Sequence, residues 1–379
     1  MPAHRSHRRA VVLAALITTL ALVLTACASS DDPEVEDPPP SGEEPDETED
    51  DIAAADDEAE PDGSETEESE PDEPEPDEPQ EPDVDPAEVG ADELGVVPVL
   101  MYHQLRDGGG SAWDMSPEEF RAELEWLFDN DYVPITAAAF ARGEIDGPAG
   151  YRPVELTFDD STRSQAYLDE DGEMAADTSM GILIDVAADY DHVEPVASLY
   201  VITSSLFGGG TDGPDILAAL HDLGMEIGNH SHTHANLRSL DASGVQSELA
   251  EPLLVIRGLI PDAEVTTLSL PLGIYPDDTQ LAVRGSADGV DYEHDAVLQV
   301  GYTPATSPFH AEFDGAGVAR IQTHPDPDFE FGSTWWLAQM EDGGSWSPYV
   351  SDGNPETISF PADRADELHP DLADRANPY

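Results

Sequence analysis

The chain has 379 residues, 83 of them acidic and 14 basic, for a formal net charge of −69, and every basic residue is arginine. Phosphate binding needs clustered cations, so this balance excludes nucleic acid as an expected partner. Residues 31–90 hold 30 of the acids, yet residues 91–379 still carry 53 acids against 11 arginines, a balance of −42. The folded part is therefore acidic in its own right, through adaptation to high salt or through a lysine-poor coding bias.

Arg5, Arg8 and Arg9 precede an apolar stretch over 10–24. That stretch is short for a membrane span and has the shape of a signal peptide. It ends in Leu24-Thr25-Ala26-Cys27, and Cys27, the one cysteine, has no partner for an internal disulfide. The pattern resembles a bacterial lipobox. That resemblance implies cleavage after residue 26, diacylation of Cys27, and an extracytoplasmic protein anchored by lipid to the outer face of the cytoplasmic membrane; an ordinary secretory signal is the alternative. Residues 27–94 are Asp, Glu, Pro and small residues, too polar to repay the entropy of ordering, and read as a disordered acidic tether.

The predicted catalytic domain covers 95–345, and its elements alternate between strand and helix. A strand over 96–102 ends at His103. Ser116-Pro117-Glu118-Glu119 opens a helix, with Ser116 as N-cap and Glu119 closing a capping box. Phe120, Leu124, Trp126 and Leu127 give that helix an apolar face. A strand over 154–158, a helix over 181–188, a strand over 196–202, a helix over 214–223 and a strand over 225–227 follow. A helix over 243–259, interrupted near Pro252, leads to a strand over 265–270. Such alternation implies a parallel sheet, and the number of repeats suits a barrel. Residues 346–379 return to Pro, Asp and Gly and read as a loosely ordered tail.

Chemistry is concentrated at two places. Asp159 and Asp160 close the apolar run over 154–158, and 70 residues after Asp160 comes His230-Ser231-His232-Thr233-His234. A divalent metal at a catalytic centre, zinc above all, is commonly held by three ligands of the His/His/carboxylate kind. Asp160, His230 and His234 suit that set, and Asp159 is placed to take the proton of a water. Both motifs follow strands, the face on which barrel enzymes carry their catalytic loops.

Thr157-Phe158-Asp159-Asp160 followed by Gly228-Asn229-His230-Ser231-His232-Thr233-His234 resembles the first two motifs of the polysaccharide deacetylases, carbohydrate esterase family four. The opening Pro98-Val99-Leu100-Met101-Tyr102-His103 is similar to the start of deacetylases acting on exported poly-N-acetylglucosamine. The resemblance covers about 96–325. It implies a distorted (β/α) barrel of about seven strands and metal-assisted hydrolysis of an N-acetyl or O-acetyl group on a polysaccharide. By the same resemblance Asp160, His230 and His234 hold the metal and Asp159 is the general base, with Ser231 and Thr233 placed to steady the imidazoles.

Departures from the family pattern mark the rest of the site. Leu268-Ser269-Leu270-Pro271-Leu272-Gly273 sits where the family has Arg-x-Pro-x-Gly. Pro271 and Gly273 match, but Ser269 replaces the arginine that orients the catalytic aspartate, a charge that Arg163 or Arg320 is left to supply. Ser161 stands where a glycine is usual. Ile321-Gln322-Thr323-His324 is an approximate counterpart of the closing motif, which makes His324 the candidate general acid, with His103 and His294 as rivals. Trp335, Trp336 and Trp346 offer faces for sugar rings, and Tyr275 a place on the rim. Two other classes of function stay open: a metal-binding lipoprotein of a transport system, and a catalytically impaired glycan-binding lipoprotein.

Overall fold

A computed structural model describes residues 84–108, 111–341 and 346–379. The predicted signal, Cys27 and most of the tether lie outside the described residues. Among these, no helix is long and apolar enough to cross a membrane.

The strands are β1 (Val99–Tyr102), β2 (Tyr132–Ile135), β3 (Arg152–Phe158), β4 (Ser198–Val201), β5 (Glu226–Asn229), β6 (Thr267–Ser269), β7 (Ala296–Leu298) and β8 (Ile321–Gln322). They form one sheet in the order β7-β6-β5-β4-β3-β1-β8, with β2 paired to the first half of β3, and every pairing is parallel. The chain just before β8 bridges β7 at Leu298 and Val318, so the sheet curls until its two ends meet. The alternation of strands and helices leads to a parallel barrel, and the resemblance to its distorted form; both are found. Register then sets the height of the loops. Tyr102 lies opposite Phe158, so His103 and Asp159 leave their strands side by side.

Helices α1 (Pro117–Asp129), α2 (Ala137–Arg142), α3 (Ser179–Ala187), α4 (Gly213–Asp222), α5 (Ala242–Leu259) and α6 (Ser333–Glu341) connect or flank the strands. The capping box of α1 is present in both halves: Ser116 Oγ accepts from Glu119 N at 3.2 Å, and Glu119 accepts from Ser116 N at 2.8 Å. Phe120, Leu124 and Leu127 are buried as expected, while Trp126 is only half-buried. Period-two alternation divides β3 cleanly. Val154, Leu156 and Phe158 pack into the core between sheet and helices, and Glu155, Thr157 and Asp159 take the other side, inside the barrel.

Helix α5 runs without interruption through Pro252. A proline inside a helix removes one N–H, which frees the carbonyl four residues earlier. Here that carbonyl belongs to Glu248, and it accepts instead from His232 N at 2.9 Å. The residue that was expected to break the helix thus gives the histidine loop a place to dock.

The expected ends of the domain need correction. The tether does not reach 94, because a short helical turn at Pro86–Val89 is capped by Asp85, and Ala91 and Leu94 are buried. Nor is 346–379 a loose tail. Tyr349, Ile358 and Phe360 are buried in a second core with Leu94, Val97 and Val99, and Ile358–Phe360 pairs with Ala376–Pro378. Glu93 ties the two ends together, accepting from Tyr349 Oη at 2.8 Å and Ser359 N at 2.7 Å. Gly95 permits this approach, since a Cβ there would lie 2.3 Å from the Pro348 carbonyl oxygen.

Candidate metal centre

Asp160, His230 and His234 converge at the carboxyl ends of β3 and β5. Asp160 Oδ1 is 3.4 Å from His230 Nε2 and 3.5 Å from His234 Nε2. These gaps exceed good hydrogen bonds and suit an ion between the three groups. The donor chemistry fits as well. His230 Nδ1 donates to the Ser269 carbonyl at 2.8 Å, which turns Nε2 toward Asp160. His232, between His230 and His234 in sequence, instead meets Thr203 Oγ1 at 3.0 Å and stands apart from the set.

Backbone strain gathers here. Asp160, Ser161, Ser231, His234 and Leu272 all have positive φ, five of the nine non-glycine residues that do so among the described residues. Such conformations cost about 1–3 kcal/mol each and persist only where the surroundings enforce them. At Ser161 the angle of 44° explains why glycine would suit the position, and the serine compensates by accepting from Ile202 N at 3.2 Å. The histidine loop is held from behind by Glu248, whose carboxylate accepts from Thr233 N at 2.8 Å and Thr233 Oγ1 at 2.7 Å. Neither Ser231 nor Thr233 steadies an imidazole: Ser231 Oγ has no partner among the described residues.

Asp159 is fixed by a network that the sequence left ambiguous. Arg320, fully buried, donates Nη1 to Asp159 Oδ1 at 2.8 Å and Nη2 to Asp159 Oδ2 at 2.7 Å. It also donates to Thr157 Oγ1 at 3.3 Å, Ser269 Oγ at 2.9 Å and the Gln299 carbonyl at 2.8 Å, so all five of its N–H groups are used. Ser269 Oγ donates onward to Asp159 Oδ2 at 3.0 Å. The charge therefore comes from the residue just before β8, and Ser269 takes part in the network in place of the missing arginine. Arg163 is not involved; it pairs with Asp212 at 2.7 Å on the surface. Burial alone would raise the pKa of Asp159, but the Arg320 guanidinium and the nearby His230 outweigh it and hold the carboxyl well below its usual range.

The other charges respond to the same carboxylates. Burial disfavours the His230 imidazolium, yet Asp159 and Asp160 more than offset this and raise its pKa. His234 goes the other way, lowered by burial and by His230. Burial would raise Asp160, and hydrogen bonding and charge from His230 lower it.

The three histidines considered as acid are placed very differently. His324 stacks on Phe329 with centroids 4.0 Å apart and its Nδ1 accepts from Asp326 N, so the ring is turned into its own loop and does not line the cavity. His294 is buried behind β5, donating to the Ala282 carbonyl at 2.7 Å, and burial pushes it down to about 4. His103 alone of the three lines the cavity, a space of about 400 Å³ shared with Asp159, Asp160, His230 and His234. Its Nδ1 is buried without a partner among the described residues.

Pro271 and Gly273 form a turn on the rim. Gly273 has φ 66°, and a Cβ there would lie 2.8 Å from Val300 Cβ, so glycine is required twice over. Tyr275 lies just beyond, held by its hydroxyl to the Ala316 carbonyl at 2.6 Å. One residue had escaped attention: Gln165, fully buried, donates Nε2 to the carbonyls of His103 at 2.6 Å and Asp159 at 2.5 Å. It ties the ends of β1 and β3 together, and nothing in its sequence surroundings marks it.

Residues 146–287 match the family model described as polysaccharide deacetylase. The matched stretch holds Asp159, Asp160, His230 and His234. YxkH, a candidate polysaccharide deacetylase of Bacillus subtilis strain 168, is 24% identical over 196 residues, 50% of this chain and 61% of that protein. Two solved structures are also similar. A candidate polysaccharide deacetylase of Bacillus anthracis aligns with TM-score 0.47 and 19% identity over 64% of this chain and 68% of its own. Streptococcus pyogenes deacetylase PplD, solved with acetate, aligns with TM-score 0.46 and 18% identity over 64% of this chain and 97% of its own.

Proposed function

We propose that this protein is a metal-dependent hydrolase that removes acetyl groups, N-linked or O-linked, from an extracytoplasmic or cell-wall polysaccharide, and that Cys27 anchors it by lipid to the outer face of the cytoplasmic membrane. The observation that carries the catalytic reading is the convergence of Asp160, His230 and His234 beside an Asp159 carboxylate fixed by Arg320. A structural ion site would have no use for that second, ionised carboxylate.

Two imidazoles and one carboxylate would hold a divalent ion, zinc by preference; bound there, it supplies a Lewis acid that acidifies water and polarises the acetyl carbonyl. Asp159 accepts the water's proton. Among the described residues its Oδ1 accepts only from Arg320, which leaves a lone pair free for the water. A carboxylate held this firmly ionised takes a proton only from an acidified donor, which is why it belongs next to the ligands. Arg320 and Ser269 keep it from rotating away. His103, in place of His324, gives a proton to the departing amine or alcohol.

The test is acetate release from N-acetylated and O-acetylated polysaccharides by the purified protein, with and without added zinc. Asp159→Asn is expected to keep its metal and lose about 10²–10⁴ of the turnover. Replacing His230 and His234 together by alanine is expected to abolish metal binding measured by elemental analysis. Full activity in Asp159→Asn, or metal retained in the double variant, would overturn the assignment.

A further inference from the structure

On a surface so rich in carboxylates, exposed large apolar side chains need a reason. Trp113, Leu272 (56% exposed) and Val300 stand on the rim of the metal cavity. Two residues after Val300 comes Tyr302, 67% exposed, and its ring meets Phe331, 44% exposed, at 5.9 Å. Phe331 in turn meets Trp335 at 5.3 Å. The band is braced from below. Trp336 Nε1 donates to the Tyr302 carbonyl at 2.8 Å, and Gly332 bridges Gln322, whose side chain donates to the Ala112 carbonyl next to Trp113. The segments that follow β1, β7 and β8 are thereby joined into one surface at the carboxyl end of the barrel, continuous with the cavity.

We propose that Tyr302, Phe331 and Trp335 form a strip on which successive sugar rings of a polymer stack while one acetylated unit occupies the metal cavity; this rests on the deacetylase reading. Aromatic faces suit pyranose rings, which present apolar C–H faces and keep their hydroxyl groups in water. The acidic surroundings disfavour an anionic membrane as the occupant. The strip makes the protein selective for long chains, because a short substrate fills the cavity without reaching Tyr302.

Kinetics on soluble polymers, one N-acetylated and one O-acetylated, each beside the acetylated disaccharide of its own repeat, test this. Tyr302→Ala combined with Phe331→Ala is expected to raise KM for the polymer about tenfold and leave kcat nearly unchanged. The same variant should match the wild type on the disaccharide, and Tyr302→Phe, which keeps the ring, should match it on both. Unchanged thermal melting confirms that the fold is intact. An equal loss on polymer and disaccharide, or no loss on polymer, overturns the strip. If the wild type releases no acetate from any substrate, the deacetylase reading fails, and affinity electrophoresis in the same polymers decides the strip. Retardation of the wild type that is lost in the double variant upholds it; no retardation, or binding to phosphatidylglycerol vesicles instead, overturns it.

Discussion

Two carboxyl groups on one face of one strand behave in opposite ways. Asp159, at the mouth of the barrel, and Glu155, four residues deeper on the same side of β3, are both buried. Asp159 is held ionised. Glu155 is pushed well above the ordinary carboxyl range, first by burial and then by the charge of Glu226, and Arg320 opposes this without reversing it. Depth does not separate them, since both are removed from water. What separates them is the allocation of one guanidinium: Asp159 receives two of its five N–H groups, Thr157, Ser269 and Gln299 take the rest, and none reaches Glu155. The single fully buried arginine among the described residues thus points the barrel's positive charge at the mouth, where the proposed base stands.

Removing that arginine should break the comparison with the largest effect. Arg320→Met leaves Asp159 as an uncompensated buried charge, and a loss of about 3–5 kcal/mol is expected in chemical denaturation at neutral pH. Acetate release should fall with it, since the carboxylate is no longer fixed. Arg320→Lys keeps the charge but loses the two-pronged geometry and should fall in between. Placing the arginine at the family's usual position, Ser269→Arg in an Arg320→Ser background, should recover part of both. If Arg320→Met matches the wild type in stability and turnover, the guanidinium does not decide the state of Asp159.

How much of this was legible in the sequence depends on distance along the chain. The convergence of Asp160, His230 and His234 was, because Asp159 and Asp160 directly follow a strand and His230 and His234 keep their own spacing. The capping box at Ser116 and Glu119 was, because capping is local. Arg320 remained one of two candidates because it lies 161 residues from Asp159, just before a strand of only two residues, too short to announce itself. The position of His324 away from the cavity was hidden for the same reason: only the packing of its loop shows the ring stacked on Phe329. The C-terminal segment looked loose because its composition is that of loops, whereas its order comes from three widely spaced residues, Tyr349, Ile358 and Phe360, entering a core built elsewhere.

Glu93 sharpens the comparison with a smaller effect. It has hydrogen-bond donors, as Asp159 does, from Tyr349 and Ser359, but no arginine among the described residues faces it. Burial, with the charge of Asp352 beside it, pushes it up to about 8. Hydrogen bonds without a cation therefore leave a buried carboxyl protonated. Its folded pKa lies above the unfolded value of 4.5, so its contribution is complete below about 4.5 and is lost as pH rises toward about 8. Glu93→Gln should remove that slope, with the gap from the wild type growing by a few kcal/mol across the window. Parallel wild-type and variant curves would show that Glu93 is ionised in the fold.

At acid pH the smallest effect belongs to Glu155→Gln, and the sign of its change with pH is what matters. Glu155 is already neutral in the fold, so the amide replaces a protonated acid of the same shape, and at pH 4 the two proteins should unfold at nearly the same denaturant concentration. Above pH 4.5 the unfolded wild-type chain releases the Glu155 proton while the folded chain keeps it, so wild-type stability declines and the variant gains on it steadily. Asp159→Asn must behave in the opposite sense. Its carboxyl is lowered in the fold, so its contribution is present above 3.8 and lost below, and the variant is worst at neutral pH and converges on the wild type in acid. The same chemical change at two sites on one strand face thus gives stability differences of opposite slope. If both variants shift in the same direction with pH, burial governs the two carboxyls alike, and the placement of the Arg320 donors does not explain why one of them can serve as a base.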